Sequence, residues 1–126
     1  MRKLDLSKVK FDESGLVAVI AQDLTSKEVL MLAYASRETL VETIETGKMV
    51  YFSRSRNQRW LKGETSGNFQ EVVELSLDCD GDTVLAQVNT LGPACHNGTR
   101  SCFAETAPQA DVLSAVDATI RARATA

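Results

Sequence analysis

Hydrophobic and polar positions alternate along much of the chain, and the period lengthens only in short stretches suited to a helix. Val17-Ala18-Val19-Ile20-Ala21-Gln22 predicts a strand, Asp23 to Lys27 supply turn residues, and Glu28-Val29-Leu30-Met31-Leu32-Ala33-Tyr34 predicts its hairpin partner. Leu40, Val41 and Ile44 then recur at helical spacing, between Ser36 as N-cap and Gly47 at the left-handed position past the helix end. Met49 to Ser53 predicts a third strand. Val73, Leu75 and Leu77 alternate with Glu74 and Ser76 as a half-buried strand does, and Asp78 to Asp82 form its turn. Thr83 to Asn89 return antiparallel until Gly92-Pro93 ends the run. Asp111 is placed to cap a second helix carrying Val112, Val116 and Ile120, followed by a small-residue tail from Ala122 to Ala126.

These elements predict a mainly β (α+β) fold: a compact, barrel-like, mixed or antiparallel sheet with about two packed helices. One domain is expected over residues 1–126, with a core at about 10–108 and a C-terminal helix and tail at 109–126. Composition agrees, since 44% hydrophobic and 25% charged residues are ordinary for a globular chain. A net charge of -3 argues against nucleic acid as a partner, which needs a phosphate-neutralising basic surface. No run approaches the ~20 apolar residues that span a bilayer, and Met1-Arg2-Lys3-Leu4-Asp5 does not open a signal peptide. No membrane partner is expected, and the location expected is cytoplasmic.

The three cysteines, Cys79, Cys95 and Cys102, carry the chemistry. An odd number argues against a disulfide framework, and in a reducing compartment clustered thiols serve metals or catalysis. Cys95 and Cys102 flank a loop pivoting at Gly98, which can turn both sulfurs toward one ion. Three thiolates without an obvious fourth ligand suit a catalytic zinc with an open position, although a lone cysteine is often only a small buried hydrophobe. His96, beside Cys95, is a poor fourth ligand because consecutive side chains diverge; it suits proton transfer near the metal. Asp78, Asp80 and Asp82 alternate with Cys79, so an extended segment would put the carboxylates on one face and the thiol on the other. Hard carboxylate oxygens suit magnesium, and the plainer alternative is a solvated acidic turn. Arg54 and Arg56 share a face under the same rule, and with Arg59 and Lys62 they form a basic cluster suited to a phosphorylated small molecule. After Trp60, an aromatic able to stack on a base, Lys62, Glu64, Ser66, Asn68 and Gln70 alternate with Leu61, Gly63, Thr65, Gly67 and Phe69. That reads as a polar binding wall or a solvent-facing edge strand.

The stretches LMLAYASRETLVETIETG (30–47), YFSRSR (51–56), WLKGETSGNFQ (60–70), LDCDGD (77–82) and ACHNGTRSCF (94–103) closely resemble the phosphoribosyl-AMP cyclohydrolases, enzymes of the third step of histidine biosynthesis. The resemblance covers most of residues 17 to 104; Arg59 departs from it, standing where the family more often has leucine. It implies hydrolytic opening of the N1–C6 bond of the adenine ring in phosphoribosyl-AMP, by water activated on zinc. By position, it puts the zinc ligands at Cys79, Cys95 and Cys102, the magnesium ligands at Asp78, Asp80 and Asp82, and the important histidine at His96. It further implies a homodimer whose zinc site takes Cys79 from one chain and Cys95 with Cys102 from the other. The pyrophosphohydrolase fused to some relatives is expected on another protein. Two other readings are a structural zinc module, if a fourth ligand exists, and a zinc purine deaminase, whose glutamate base and closely paired cysteines are missing here.

Overall fold

Strand β1 (Leu16–Asp23) runs through the middle of the main sheet, and its residues Val17, Val19, Ala21 and Asp23 are buried at every second position. In the computed structural model, which describes residues 3–90 and 101–103, it pairs antiparallel with β2 (Val29–Ser36), from Leu16↔Ser36 to Gln22↔Val29. Its other edge pairs in parallel with β6 (Thr83–Thr90), from Ala18↔Thr83 to Asp23↔Val88. β6 in turn pairs antiparallel with β5 (Gln70–Leu77), so the four-stranded sheet has the order β2-β1-β6-β5. A separate antiparallel hairpin joins β3 (Val50–Ser53) to β4 (Gln58–Leu61).

Helix α1 (Arg37–Thr46) connects β2 to β3, with Ser36 and Thr39 in a reciprocal capping box and Gly47 at φ 79°. The expected apolar stripe of Leu40, Val41 and Ile44 is only partly the buried face. Thr39, Leu40 and Thr43 are buried, while Val41 and Ile44 are half-exposed. The Thr43 hydroxyl accepts from Val50 N at 2.9 Å and donates to Thr39 O at 2.8 Å, pinning the helix to β3. Leu30, Ala35, Leu40, Met49, Tyr51, Val84 and Val88 fill the core between sheet, helix and hairpin.

The mainly β expectation holds, with a mixed sheet; β1, β2, β3, β5 and β6 fall close to their predicted positions, while β4 is not among the strands the alternation predicts. The barrel-like closure does not hold. Because β6 inserts beside β1, β2 and β5 become opposite edges that do not pair with each other. The segment leading into the hairpin bridges part of that gap through a few bonds to β5, Met49 N to Gln70 O at 2.9 Å, Val72 N to Gly47 O at 2.8 Å and the Lys48↔Glu71 bridge. Among the described residues there is one α-helix and one short 3-10 turn, Leu6–Lys8; the helix expected after Asp111 lies outside them. No helix among the described residues is long and apolar enough to cross a membrane.

Candidate active site

The β5–β6 connection is a tight turn, as expected of Asp78 to Asp82, and the extended arrangement with alternating faces does not form. Asp78 N donates to Thr83 O at 3.0 Å, and the Asp78 carboxylate accepts from the amides of Asp82 at 3.1 Å and Thr83 at 3.2 Å. Gly81 is required twice over. Its φ is 77°, and a Cβ there would lie 2.5 Å from Lys8 O, where the N-terminal segment crosses the turn. Folding, not pleating, therefore gathers Asp78, Asp80 and Asp82, whose ligand oxygens lie within 4.8 Å of one another. Hydrogen bonding to Asp78 and to Asp80 pushes the Asp82 carboxyl above the usual carboxylate range, with desolvation and like charge adding to it. At Asp78 desolvation also pushes upward, but hydrogen bonds with Asp82, Thr83 and Asp80 outweigh it and hold the group low. Three oxygen donors that already crowd each other fit a hard divalent cation such as magnesium.

Cys79 is exposed on this turn, in a shallow hollow shared with Lys8 and Lys10. Cys102 is also exposed, but its amide donates to Leu30 O at 2.8 Å, on β2. The two thiols flank opposite ends of β1, since Thr83 pairs with Ala18 while Met31, next to Leu30, pairs with Ala21. Three to four residues of strand and two strand spacings put them on the order of 15 Å apart. Sulfurs sharing one zinc must lie within roughly 4 Å of each other. The sheet thus separates Cys79 from Cys102 within one chain. Cys95 and His96 lie outside the described residues.

Cys102 opens into a hollow of about 460 Å3 whose wall includes Met31, Arg56, Gln58, Trp60 and Lys62. Lys62 is only 5% exposed, and its ammonium lies 5.8 Å from the Trp60 ring centroid. Trp60, 37% exposed, rests its inner side on buried Tyr51, with ring centroids 5.5 Å apart. Burial and, after it, the neighbouring Cys102 push the Tyr51 phenol far up, so it stays neutral and donates to Gln70 Oε1 at 2.6 Å. Arg54 does not join Arg56: its guanidinium stacks 3.9 Å over the Tyr34 ring, in an adjoining hollow.

The polar wall predicted from 62 to 70 does not form as an extended segment. Glu64 N donates to Leu61 O at 3.0 Å and Gly67 N to Gly63 O at 2.8 Å, folding the chain into turns. Gly63, at φ 92° and with a Cβ position only 2.5 Å from Phe69 N, makes that fold possible. Glu64 and Ser66 are exposed on the turns and Asn68 is half-buried. Gln70 is 0% exposed, its amide engaged by Tyr51 and by Met31 Sδ at 3.5 Å, so it braces the hollow from behind instead of lining it. Met31, Tyr34 and Gln58 were not singled out in the sequence; β2 and the hairpin carry them to the site by tertiary packing.

The chain matches the phosphoribosyl-AMP cyclohydrolase family over residues 31–104, more than half its length. It is 55% identical over 98 residues to the phosphoribosyl-AMP cyclohydrolase of Salinibacter ruber, covering 78% of this chain and 77% of that protein. The chain belongs to the phosphoribosyl-AMP cyclohydrolase family.

Membership makes it a hydrolase. The cyclohydrolase of a Ruegeria species is 52% identical over 80% of this chain and 78% of its own. The histidine biosynthesis bifunctional protein HisIE of Thermus thermophilus is 60% identical over 79% of this chain but only 47% of its own. The chain thus spans about half the length of the bifunctional relative and about three quarters of the two cyclohydrolases. The aspartate turn and the walls of the Cys102 hollow all fall inside the stretch that matches the family. Arg59, the departure noted above, forms a forked ion pair with Glu42 of α1, with Nε donating to Oε1 at 2.6 Å.

Proposed function

We propose that the chain hydrolyses the N1–C6 bond of the adenine ring in phosphoribosyl-AMP, giving the formimino carboxamide ribotide, with zinc and magnesium as cofactors. The observation that supports this reading above the others is the family match over residues 31–104, which spans both the aspartate turn and the Cys102 hollow. Cys79, Cys95 and Cys102 would hold the zinc, with Cys79 from one copy and the other two from a second, so the working unit is a homodimer. The separation of Cys79 and Cys102 within one chain supports that arrangement. When bound, zinc supplies a Lewis acid that makes water nucleophilic near neutral pH. Asp78, Asp80 and Asp82 would hold magnesium, whose retained waters suit a substrate phosphate.

The chain's own groups do the rest. His96 takes the proton from the water that attacks C6 and returns one to N1 as the ring bond breaks. Trp60 offers a face for the purine, and Arg54, Arg56 and Lys62 bind phosphate. Glu64, Ser66 and Asn68 contribute polar contacts from the turns beside the hollow, while Gln70 acts from beneath by fixing Tyr51 and Met31. Thiolates that act as metal ligands need a reducing compartment, which favours a cytoplasmic location.

The test is a spectrophotometric assay with phosphoribosyl-AMP, with chelation followed by separate return of zinc and magnesium. Ring opening that chelator abolishes and the metals restore is expected. A metal-replete preparation that leaves phosphoribosyl-AMP intact would overturn the reading.

A further inference from the structure

Two hollows meet at Trp60. One, of about 460 Å3, is walled by Met31, Arg56, Lys62 and Cys102; the other, of about 500 Å3, by Leu32, Tyr34, Phe52 and Arg54. Ser53, Ser55 and Trp60 border both, so the spaces are neighbours across a ridge. Both volumes are those of small-molecule sites, roughly 300 to 1,000 Å3. The β3–β4 turn delivers one arginine to each. Arg56 N donates to Ser53 Oγ at 3.3 Å and Asn57 takes φ 53°, so the chain reverses between Arg54 and the start of β4 instead of continuing a strand. Arg54 is drawn aside by the Tyr34 ring, while Arg56 borders the hollow that buries Lys62.

A phosphoribosyl-AMP is divided in the same way. It carries two phosphorylated ribose arms, on N1 and N9, at opposite edges of one purine. We infer that the arms occupy different hollows, with the purine on Trp60 between them, the N1 arm at Arg56 and Lys62 and the N9 arm at Arg54. This rests on the cyclohydrolase reading. The direction follows from Cys102: the bond to be broken joins N1 to C6, and the thiol proposed to hold the metal stands in the Arg56 hollow, so the N1 edge faces that side. The charges agree, because the arm next to the reacting bond meets two cations, one of them buried and therefore little screened. The planar fork of each arginine suits a terminal phosphate.

AMP carries the N9 arm alone, and ribose 5-phosphate resembles either arm without the base. Binding of both would be measured by calorimetry on the full-length, metal-loaded protein and its Arg54→Gln and Arg56→Gln variants, with turnover of phosphoribosyl-AMP followed in parallel. Losing one charge-assisted phosphate contact weakens binding by about tenfold or more. The expected result is that Arg54→Gln weakens AMP by that factor and Arg56→Gln changes it less than about twofold, while each raises KM for phosphoribosyl-AMP. Ribose 5-phosphate should respond to Arg56→Gln. AMP that fails to bind, that responds equally to both variants, or that responds to Arg56→Gln alone overturns the assignment of the arms to these hollows, even if wild-type turnover is normal. A wild-type protein that binds AMP in the expected pattern but never opens phosphoribosyl-AMP overturns the cyclohydrolase reading instead, and with it the N1 assignment.

Discussion

Single side chains at this site do separable jobs. Cys102→Ala and Cys95→Ala should each abolish turnover together with bound zinc, because a ligand is lost; metal analysis beside the assay checks this, and a zinc-free variant of normal activity would remove the thiols from the site. His96→Ala should keep its zinc and lose rate by about 100- to 10,000-fold, the usual span for an acid–base group. Behind the hollow, Tyr51→Phe leaves the buried Gln70 Oε1 without its 2.6 Å donor. That should cost about 1 to 3 kcal/mol in urea unfolding, and an unchanged midpoint would show that water or a rearranged amide replaces the phenol. Some of this was legible residue by residue. The aspartates and cysteines stand out by type as candidate ligands, although a solvated acidic turn is the plainer account of the aspartates. Gln70 did not, because its polar character suggested an exposed wall, and nothing local announces that Tyr51, nineteen positions away, would bury it.

At the scale of elements, α1 is the piece most fully foretold by local chemistry. Ser36 and Gly47 cap it where the sequence placed them, and Ser36→Ala should cost about 0.5 to 2 kcal/mol by removing the acceptor for Thr39 N. The link from α1 to β4 is tertiary. Hydrogen bonding from Arg59, and after it the opposite charge, holds the Glu42 carboxyl below its ordinary range. A carboxyl depressed in the folded state adds stability above its unfolded value, near 4.3, and loses it as pH falls through the folded value. Glu42→Gln should therefore lower stability by less than about 1 kcal/mol at neutral pH, discounted for exposure, and by nothing in strong acid. Paired denaturation curves at the two pH values check the sign, and a larger deficit in acid would contradict it. The segment after Trp60 misled for a physical reason. A period of two in polarity is what a strand needs, yet Gly63 and Gly67 at positive φ permit turns that satisfy the same alternation.

For the whole molecule, the decisive feature is the parallel pairing of β1 with β6, which sends Cys79 to one end of the sheet while β2 carries Cys102 to the other. If two copies share each zinc, then Cys79→Ala and Cys102→Ala proteins, each inactive, should recover activity when dissociated and reassembled together. Half of the mixed dimers would be heterodimers with one intact site of two, giving about a quarter of wild-type activity. No recovery after verified exchange of subunits would refute sharing. By itself the sequence determined most of the strands and the capped helix, because alternation and capping are local properties, and its donor chemistry named the cysteines and aspartates as candidate metal ligands. Only the tertiary structure decided that the sheet stays open, that Gln70 is buried against Tyr51, and that Arg54 and Arg56 part company. Those outcomes depend on which distant strands pair and which aromatic rings lie beside them, and the spacing of residues along one chain does not encode either.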